Sequence, residues 1–147
     1  MSRNPDHEPK TLADDLRGRT DAELADVFRL RADLAQPIPS DFRALTIRAA
    51  TGPSISRFLD SIDALHHFVL RIACDLTLEG STTEERIVEA VVQAMSSDVR
   101  AAAWTAVAHL RAGAVLWGSP DRTHVVTVVR DRKSTRLNSS YLVISYA

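Results

Sequence analysis

The sequence predicts a mainly α-helical protein that closes with a short β-hairpin. Two observations predict it. Apolar residues recur at three- and four-residue spacing through most of the chain before Gly113, which is the pattern of amphipathic helices. After Gly113, two β-prone runs, residues 114–117 and 124–129, flank the turn-forming sequence Gly-Ser-Pro-Asp at 118–121, as expected for a hairpin.

The first part of the chain predicts a disordered lead followed by a helical segment, residues 11–60. Residues 1–10 contain two prolines and four charged residues and lack the apolar side chains that a folded segment would bury. A short helix over residues 12–17 should end at Gly18. Thr20 and Glu23 then have the spacing of a capping box, which predicts the start of a second helix.

Two prolines, Pro37 and Pro39, predict a break before the third helix, because proline lacks the N–H donor that a helix needs. Ser40 or Asp41 is expected to cap this helix, and Gly52-Pro53 is expected to end it. Its inward side chains should be Phe42, Leu45 and Ala49.

The strongest periodic signal follows and predicts either one long helix or two helices with a bend near Asp60. Full burial of one such apolar side chain contributes roughly 1.5–3 kcal/mol, so this stripe should organise the core. The stripe comprises Ile55, Phe58, Leu59, Ile62, Leu65, Val69, Ile72 and Leu76.

Two further helices are expected before the hairpin. A second capping box over residues 82–85 predicts a helix that carries Ile87, Val88, Val91 and Met95. Ser96 or Ser97 should cap the next helix, and Gly113 should end it in the left-handed conformation that glycine favours. The inward side chains of that last helix are predicted to be Val99, Ala103, Ala106, Val107 and Leu110.

This order of elements predicts a winged helix-turn-helix domain over residues 61–130. A supporting helix over about 62–78 precedes helices over 84–95 and 98–112, and the hairpin follows as the wing. The second and third helices would form the helix-turn-helix pair.

Residues 131–147 are expected to be a non-native tail. DRKSTRLNSS and the closing ISYA resemble a translated sequencing adapter, and both tyrosines of the chain lie here. We therefore expect a truncated fragment that is natural up to about Arg130, and we leave the tail out of the fold prediction.

Charge and composition narrow the classes of function. Without the tail, the 18 basic and 19 acidic residues fall by three and one to 15 and 18, a net charge of −3. No global positive field would draw such a chain to nucleic acid, although a local basic face stays possible. Cys74 is the single cysteine, and neither a signal peptide nor a membrane-length apolar stretch is present, so we expect a cytoplasmic protein without a membrane partner.

Three segments resemble the N-terminal region of helicase-associated-domain proteins of high-GC bacteria, a region akin to the N-terminal domain of XPB-type DNA helicases. They are TLADDLRGRTDAELADVFRLRADLAQPIPSDF, RAATGPSISRFLDSIDALHHFVL and LRAGAVLWG, and the similarity covers most of residues 12–129. The resemblance implies a non-catalytic module that works near DNA or a helicase.

No pattern in the chain predicts catalysis, a cofactor or a metal site. The glycines at 113 and 118 are spaced as in a phosphate loop, but the lysine that such a loop needs is missing and the order runs helix to strand. His66, His67 and Cys74 lack the spacing of a ligand set. The carboxylate pairs sit at helix starts, where they interact with the helix dipole.

The last helix before the hairpin carries the candidate contact residues. Arg100, Trp104 and Arg111 should lie on its flank and outer face, and Arg122 lies in the wing turn. A recognition helix uses such arginines for phosphates or guanine edges, whereas a solvated or protein-docking face explains the same residues. The sequence thus predicts a non-catalytic helicase-associated module that docks to a helicase partner or to duplex DNA. Two alternatives stay open: a winged-helix DNA-binding transcription regulator, and a protein–protein scaffold without a nucleic-acid role.

Overall fold

The computed structural model describes residues 8–128, which form seven α-helices followed by one antiparallel β-hairpin. This confirms the mainly helical fold with a terminal hairpin. The predicted tail and most of the predicted lead lie outside the described residues. The elements are α1 (Leu12–Arg17), α2 (Asp21–Leu30), α3 (Phe42–Ala49), α4 (Gly52–Asp60), α5 (Ala64–Leu76), α6 (Glu84–Ala94), α7 (Arg100–Ala112), β1 (Leu116–Ser119) and β2 (Arg122–Val125), with short 3-10 turns at Ala32–Ala35 and Ser97–Val99.

Side-chain caps start most of these helices. The predicted capping box of α2 is confirmed: Glu23 N donates to Thr20 Oγ1 at 3.1 Å, and Thr20 N donates to Glu23 Oε1 at 2.9 Å. Asp41 caps α3 as expected. At α6 the cap is Thr83, whose hydroxyl accepts from Arg86 N. A side-chain cap by Ser96 or Ser97 is wrong, because a 3-10 turn without a side-chain cap precedes α7.

The periodic stripe in the middle of the chain folds as two helices. α4 ends at Asp60, and Asp63 caps α5 by accepting a hydrogen bond from His66 N. Gly52 and Pro53 begin α4 and do not end α3. Proline is well tolerated there, because the first turn of a helix has no use for its missing N–H.

The buried apolar side chains form one core cluster that draws on every helix and on the hairpin. The stripe supplies Ile55, Phe58, Leu59 and Val69 as buried members, with its remaining residues partly buried at the margin. On α7 the predicted inward residues Ala103, Ala106, Val107 and Leu110 are buried, whereas Val99 is only partly buried. Met95 is exposed just beyond the end of α6.

The hairpin is paired from Leu116↔Val125 to Ser119↔Arg122, so its turn is Pro120-Asp121. The predicted turn over residues 118–121 began too early, since Gly118 belongs to β1. Gly118 has a φ of +92°, and a Cβ built there would lie 2.3 Å from the Arg122 carbonyl oxygen. The position therefore requires glycine for the backbone of β1 and not for the turn.

The stretch before α6 adds to the free edge of β2. Thr82 and Thr123 form an antiparallel bridge, in which Thr82 N donates to Thr123 O at 3.0 Å and Thr123 N donates to Thr82 O at 2.7 Å. Thr82 is thus part of a sheet contact and does not cap α6.

The end of α7 corrects the prediction for Gly113. Its φ is −83°, and the left-handed residue is the next one, Ala114, with a φ of 62°. Glycine is needed here for space, because a Cβ would lie 2.7 Å from Phe58 Cζ. The glycine allows α7 to end against the Phe58 ring.

Arg31, at the end of α2, is a fully buried cation that joins four helix ends. It is 1% exposed. Its Nη1 donates to Gly113 O at 3.1 Å, and its Nη2 donates to Ala49 O at 2.6 Å and to Ser54 Oγ at 2.9 Å. Burial lowers the pKa of Arg31 to about 10, against the opposing effect of Asp33, so the group is charged at neutral pH. The last carbonyl groups of a helix lack partners within the helix and favour a cation.

Replacing Arg31 should destabilise the whole fold. In Arg31→Met the apolar volume is largely kept, but the carbonyls of Ala49 and Gly113 lose their donor. We expect the free energy of unfolding to fall by about 3 kcal/mol, because hydrogen bonds to a charged group are lost and buried carbonyl acceptors are left unpaired. Urea denaturation measures this loss.

The matched control is Arg29→Met, two residues away. Arg29 is 66% exposed, and within residues 8–128 its one ion pair is with Asp26, at 3.2 Å, so its removal should change the free energy of unfolding by less than about 0.5 kcal/mol. Equal effects of the two substitutions would contradict the assigned role of Arg31.

His109 of α7 packs in an aromatic contact between α4 and α5. Its ring stacks on Phe58 with centroids 5.7 Å apart and meets the His66 ring edge-on at 5.1 Å. Burial lowers the pKa of His109, and the neighbouring His66 and Arg29 lower it further, while Asp63 opposes them.

Stability should therefore fall as the pH drops from about 7.5 to 5.5. The unfolded chain takes up a proton at the ordinary histidine pKa of 6.5, before folded His109 does, so acid favours unfolding. Burial also lowers the pKa of His124. The double variant His109→Gln/His124→Gln should show a flatter melting temperature over this pH range than the wild type. Identical slopes would exclude these rings as the cause.

Candidate nucleic-acid or partner interface

The outer face of α7 is formed mainly by small side chains around one large aromatic residue. Trp104 is 41% exposed, and Ala101, Thr105 and Ala108 on the same side of the helix are exposed as well. The opposite side of α7 carries the buried Ala103, Ala106, Val107 and Leu110. The structure therefore places Trp104, as predicted from spacing, away from the core.

Arg111 directs its donors into the protein. Its Nε donates to Glu84 Oε2 at 2.6 Å, its Nη2 donates to Thr123 Oγ1 at 2.8 Å, and its Nη1 donates to the Gly118 carbonyl. These bonds hold the C-terminal half of α7 to the start of α6 and to both strands of the hairpin. Arg111 thereby positions the hairpin, and its predicted role as a contact residue would require these bonds to be given up.

The two other candidate arginines also face carboxylates. Arg100, the first residue of α7, pairs with Glu89 of α6, and this hydrogen bond raises the pKa of Arg100. Arg122 is 70% exposed at the hairpin, and its Nε lies 3.5 Å from Glu8 Oε2. Glu8 also accepts a hydrogen bond from Ser119 Oγ. The charges of the three candidate arginines are thus balanced locally by three glutamates.

A cleft of about 320 Å³ opens beside Trp104, between α7 and α2. The small side chains Val107, Ala108 and Ala112 of α7 contribute its apolar lining. The charged groups of the lining are Arg19, Glu23, Asp26, Glu84 and Arg111. Carboxylates therefore outnumber cations next to the exposed tryptophan.

Sequence reasoning missed the contribution of α2 to this site. The sequence pattern identifies Glu23 only as a helix-capping residue, and it does not single out Asp26. Their position beside α7 follows from long-range contacts: Arg19 Nη1 reaches Ala112 O at 3.5 Å, and Arg31 reaches Gly113 O. No local pattern in the chain predicts those two contacts.

Cys74 of α5 is buried. Burial raises the pKa of the Cys74 thiol to about 12, which suppresses the reactive thiolate at neutral pH. Within residues 8–128, no group of three or more His, Cys, Asp or Glu side chains is placed to hold a metal ion. None of the helices in this range has the length and apolar character needed to cross a bilayer.

Comparison with known proteins finds no match to this chain among protein-family models, curated proteins or solved structures.

Removal of Arg111 should loosen the hairpin. In Arg111→Ala, Glu84 and the Gly118 carbonyl lose a charged donor, and we expect the free energy of unfolding to fall by about 2–3 kcal/mol. Amide hydrogen exchange should accelerate most in β1 and β2. Arg100→Ala is the control, because it deletes a guanidinium of the same helix that pairs only at the surface. It should leave the exchange of the hairpin unchanged, and faster exchange in both variants would argue against a specific role of Arg111.

Proposed function

We propose that this chain is a non-catalytic, helicase-associated module that docks onto a protein partner through the face around Trp104. The resemblance of residues 12–129 to the N-terminal region of helicase-associated-domain proteins supports the context. The cleft beside Trp104 supports the mode of action, because it joins an exposed tryptophan to an apolar lining and an acidic rim.

As part of this proposal, α5 to β2 form the described part of the winged helix-turn-helix predicted over residues 61–130. Its support is the order α5, α6, α7, β1, β2, in which the last two helices would be the helix-turn-helix pair and the hairpin the wing. The bridge between Thr82 and Thr123 adds a third strand position beside the wing.

Charge favours a protein over DNA as the main partner of α7. A recognition helix approaches the phosphate backbone closely, and phosphates repel carboxylates. Glu23, Asp26 and Glu84 line the cleft beside Trp104, and Arg111 is bonded internally. Tryptophan, in contrast, is enriched at the centres of protein–protein interfaces.

One observation favours direct DNA binding as a second candidate. Arg122 at the hairpin is largely exposed, and a wing arginine can reach a phosphate. As a transcription regulator, the chain would have to displace Glu8 from Arg122 and Glu89 from Arg100.

Binding to duplex DNA should be weak. In about 20 mM salt, where phosphate contacts are strongest, fluorescence anisotropy with a labelled duplex should give no saturable binding. Arg100→Ala/Arg122→Ala should behave like the wild type. Tight binding that falls steeply with salt and is lost in the double variant would establish the regulator instead.

Site-specific photo-crosslinking tests the protein partner directly. A benzophenone amino acid at position 104 should form an adduct in the host cell with a chain that carries helicase motor motifs. The same group at Ile38, an exposed apolar residue before α3, should not. Adducts of position 104 with nucleic acid would favour the regulator, and adducts only with proteins outside helicase assemblies would favour the scaffold.

A further inference from the structure

We propose that the cleft beside Trp104 receives an arginine side chain from a basic segment of the protein partner. This inference rests on the proposed docking function and specifies its chemistry.

The two cations that line the cleft are satisfied within the protein. Arg19 Nε donates to the buried Asp15 at 2.8 Å, and Arg19 Nη1 donates to Ala112 O. Arg111 is held by Glu84, Gly118 and Thr123. Asp15 and Glu84 therefore balance the two guanidinium groups, and neither cation needs a carboxylate of α2.

The carboxylates of Glu23 and Asp26 keep accepting capacity. Glu23 Oε1 accepts from Thr20 N, and Asp26 Oδ1 pairs with the exposed Arg29 of its own helix at 3.2 Å. Within the described part of the chain, Glu23 Oε2 and Asp26 Oδ2 accept no hydrogen bond. Asp26 is already paired with Arg29, so the α2 side of the cleft offers the unpaired charge of Glu23 and an open acceptor oxygen on each carboxylate, which a cation complements.

The tryptophan selects the shape of that cation. An arginine guanidinium is planar, so it can stack on an indole face while its edge donates two parallel hydrogen bonds to a carboxylate. A cation over tryptophan gains most among the aromatic residues. A quaternary ammonium would need several aromatic walls, and among residues 8–128 Trp104 is the single aromatic residue in the lining. A cleft of about 320 Å³ lies at the small end of binding pockets, which suits one side chain.

A peptide titration of the full chain tests this assignment. The probe is a short Gly/Ser peptide with one central arginine, and its control is the same peptide with citrulline, which keeps the shape and removes the charge. In NMR spectra, the indole N–H resonance of Trp104 should shift with the arginine peptide, while that of the buried Trp117 should not. The citrulline peptide should bind at least about tenfold more weakly, a difference of about 1.4 kcal/mol.

Substitutions in α2 can remove the carboxylate charges while keeping the helix intact. Glu23→Gln keeps the capping bond, since glutamine serves in a capping box, and Asp26→Asn keeps the size. The double variant Glu23→Gln/Asp26→Asn should weaken the arginine peptide about tenfold or more. The matched control is Asp21→Asn, which removes an exposed carboxylate of the same helix that does not line the cleft. It should bind like the wild type.

Equal affinity for the arginine and citrulline peptides, or an unchanged affinity in the double variant, would overturn the arginine site. The crosslinking result is independent of it. A helicase adduct at position 104 without arginine selectivity would keep the docking function and reject this chemistry. Arginine selectivity without a helicase adduct would keep the cleft and reject the helicase context.

Discussion

The buried guanidinium of Arg31 is the interaction on which the arrangement of the helices depends. It lies where α2 ends, where α3 ends, where α4 begins and where α7 ends, and it donates hydrogen bonds to three of these four places. Burying a charge is costly unless hydrogen bonds compensate it, and among the described residues Nη1 and Nη2 of Arg31 have acceptors whereas its buried Nε has none. Because the acceptors of Arg31 are backbone carbonyls and one serine hydroxyl, small displacements of these helices would leave the charge unmatched.

The same arrangement creates the surface beside Trp104. Arg19 and Arg31 bring the N-terminal helices to the C-terminal end of α7, and α2 then places Glu23 and Asp26 along the cleft. Asp15 extends the connection, because Gly118 N donates to its Oδ1 at 3.0 Å. The exposed face of α7 has one aromatic side chain, and the carboxylates beside it come from α2. The charge of the interface is therefore set by a neighbouring helix.

Local patterns predicted much of the secondary structure. The Thr20–Glu23 capping box, the Asp41 cap and the three- and four-residue spacing on α7 depend on residues within one or two turns, and the structure confirms them. The predictions for Gly113 and Gly118 were wrong because both glycines are required by close approach to another residue. Gly113 lies against Phe58, which is distant in sequence. Gly118 lies against Arg122, which is across the hairpin.

The candidate site likewise combines a feature that follows from local sequence with features that depend on distant residues. The exposure of Trp104 follows from helical periodicity alone. The internal bonding of Arg111 does not, since its partners Glu84 and Thr123 lie 27 and 12 residues away. The acceptor of Arg31 at Gly113 lies 82 residues away, and no spacing rule spans that separation.

That separation has a consequence for biosynthesis. A ribosome releases α2, Ala49 and Ser54 long before it has made Gly113, so Nη1 of Arg31 lacks its acceptor while the end of α7 is still untranslated. The early helices cannot settle in their final positions one at a time during elongation. We expect their final docking to wait for α7, because contacts between residues distant in sequence form slowly.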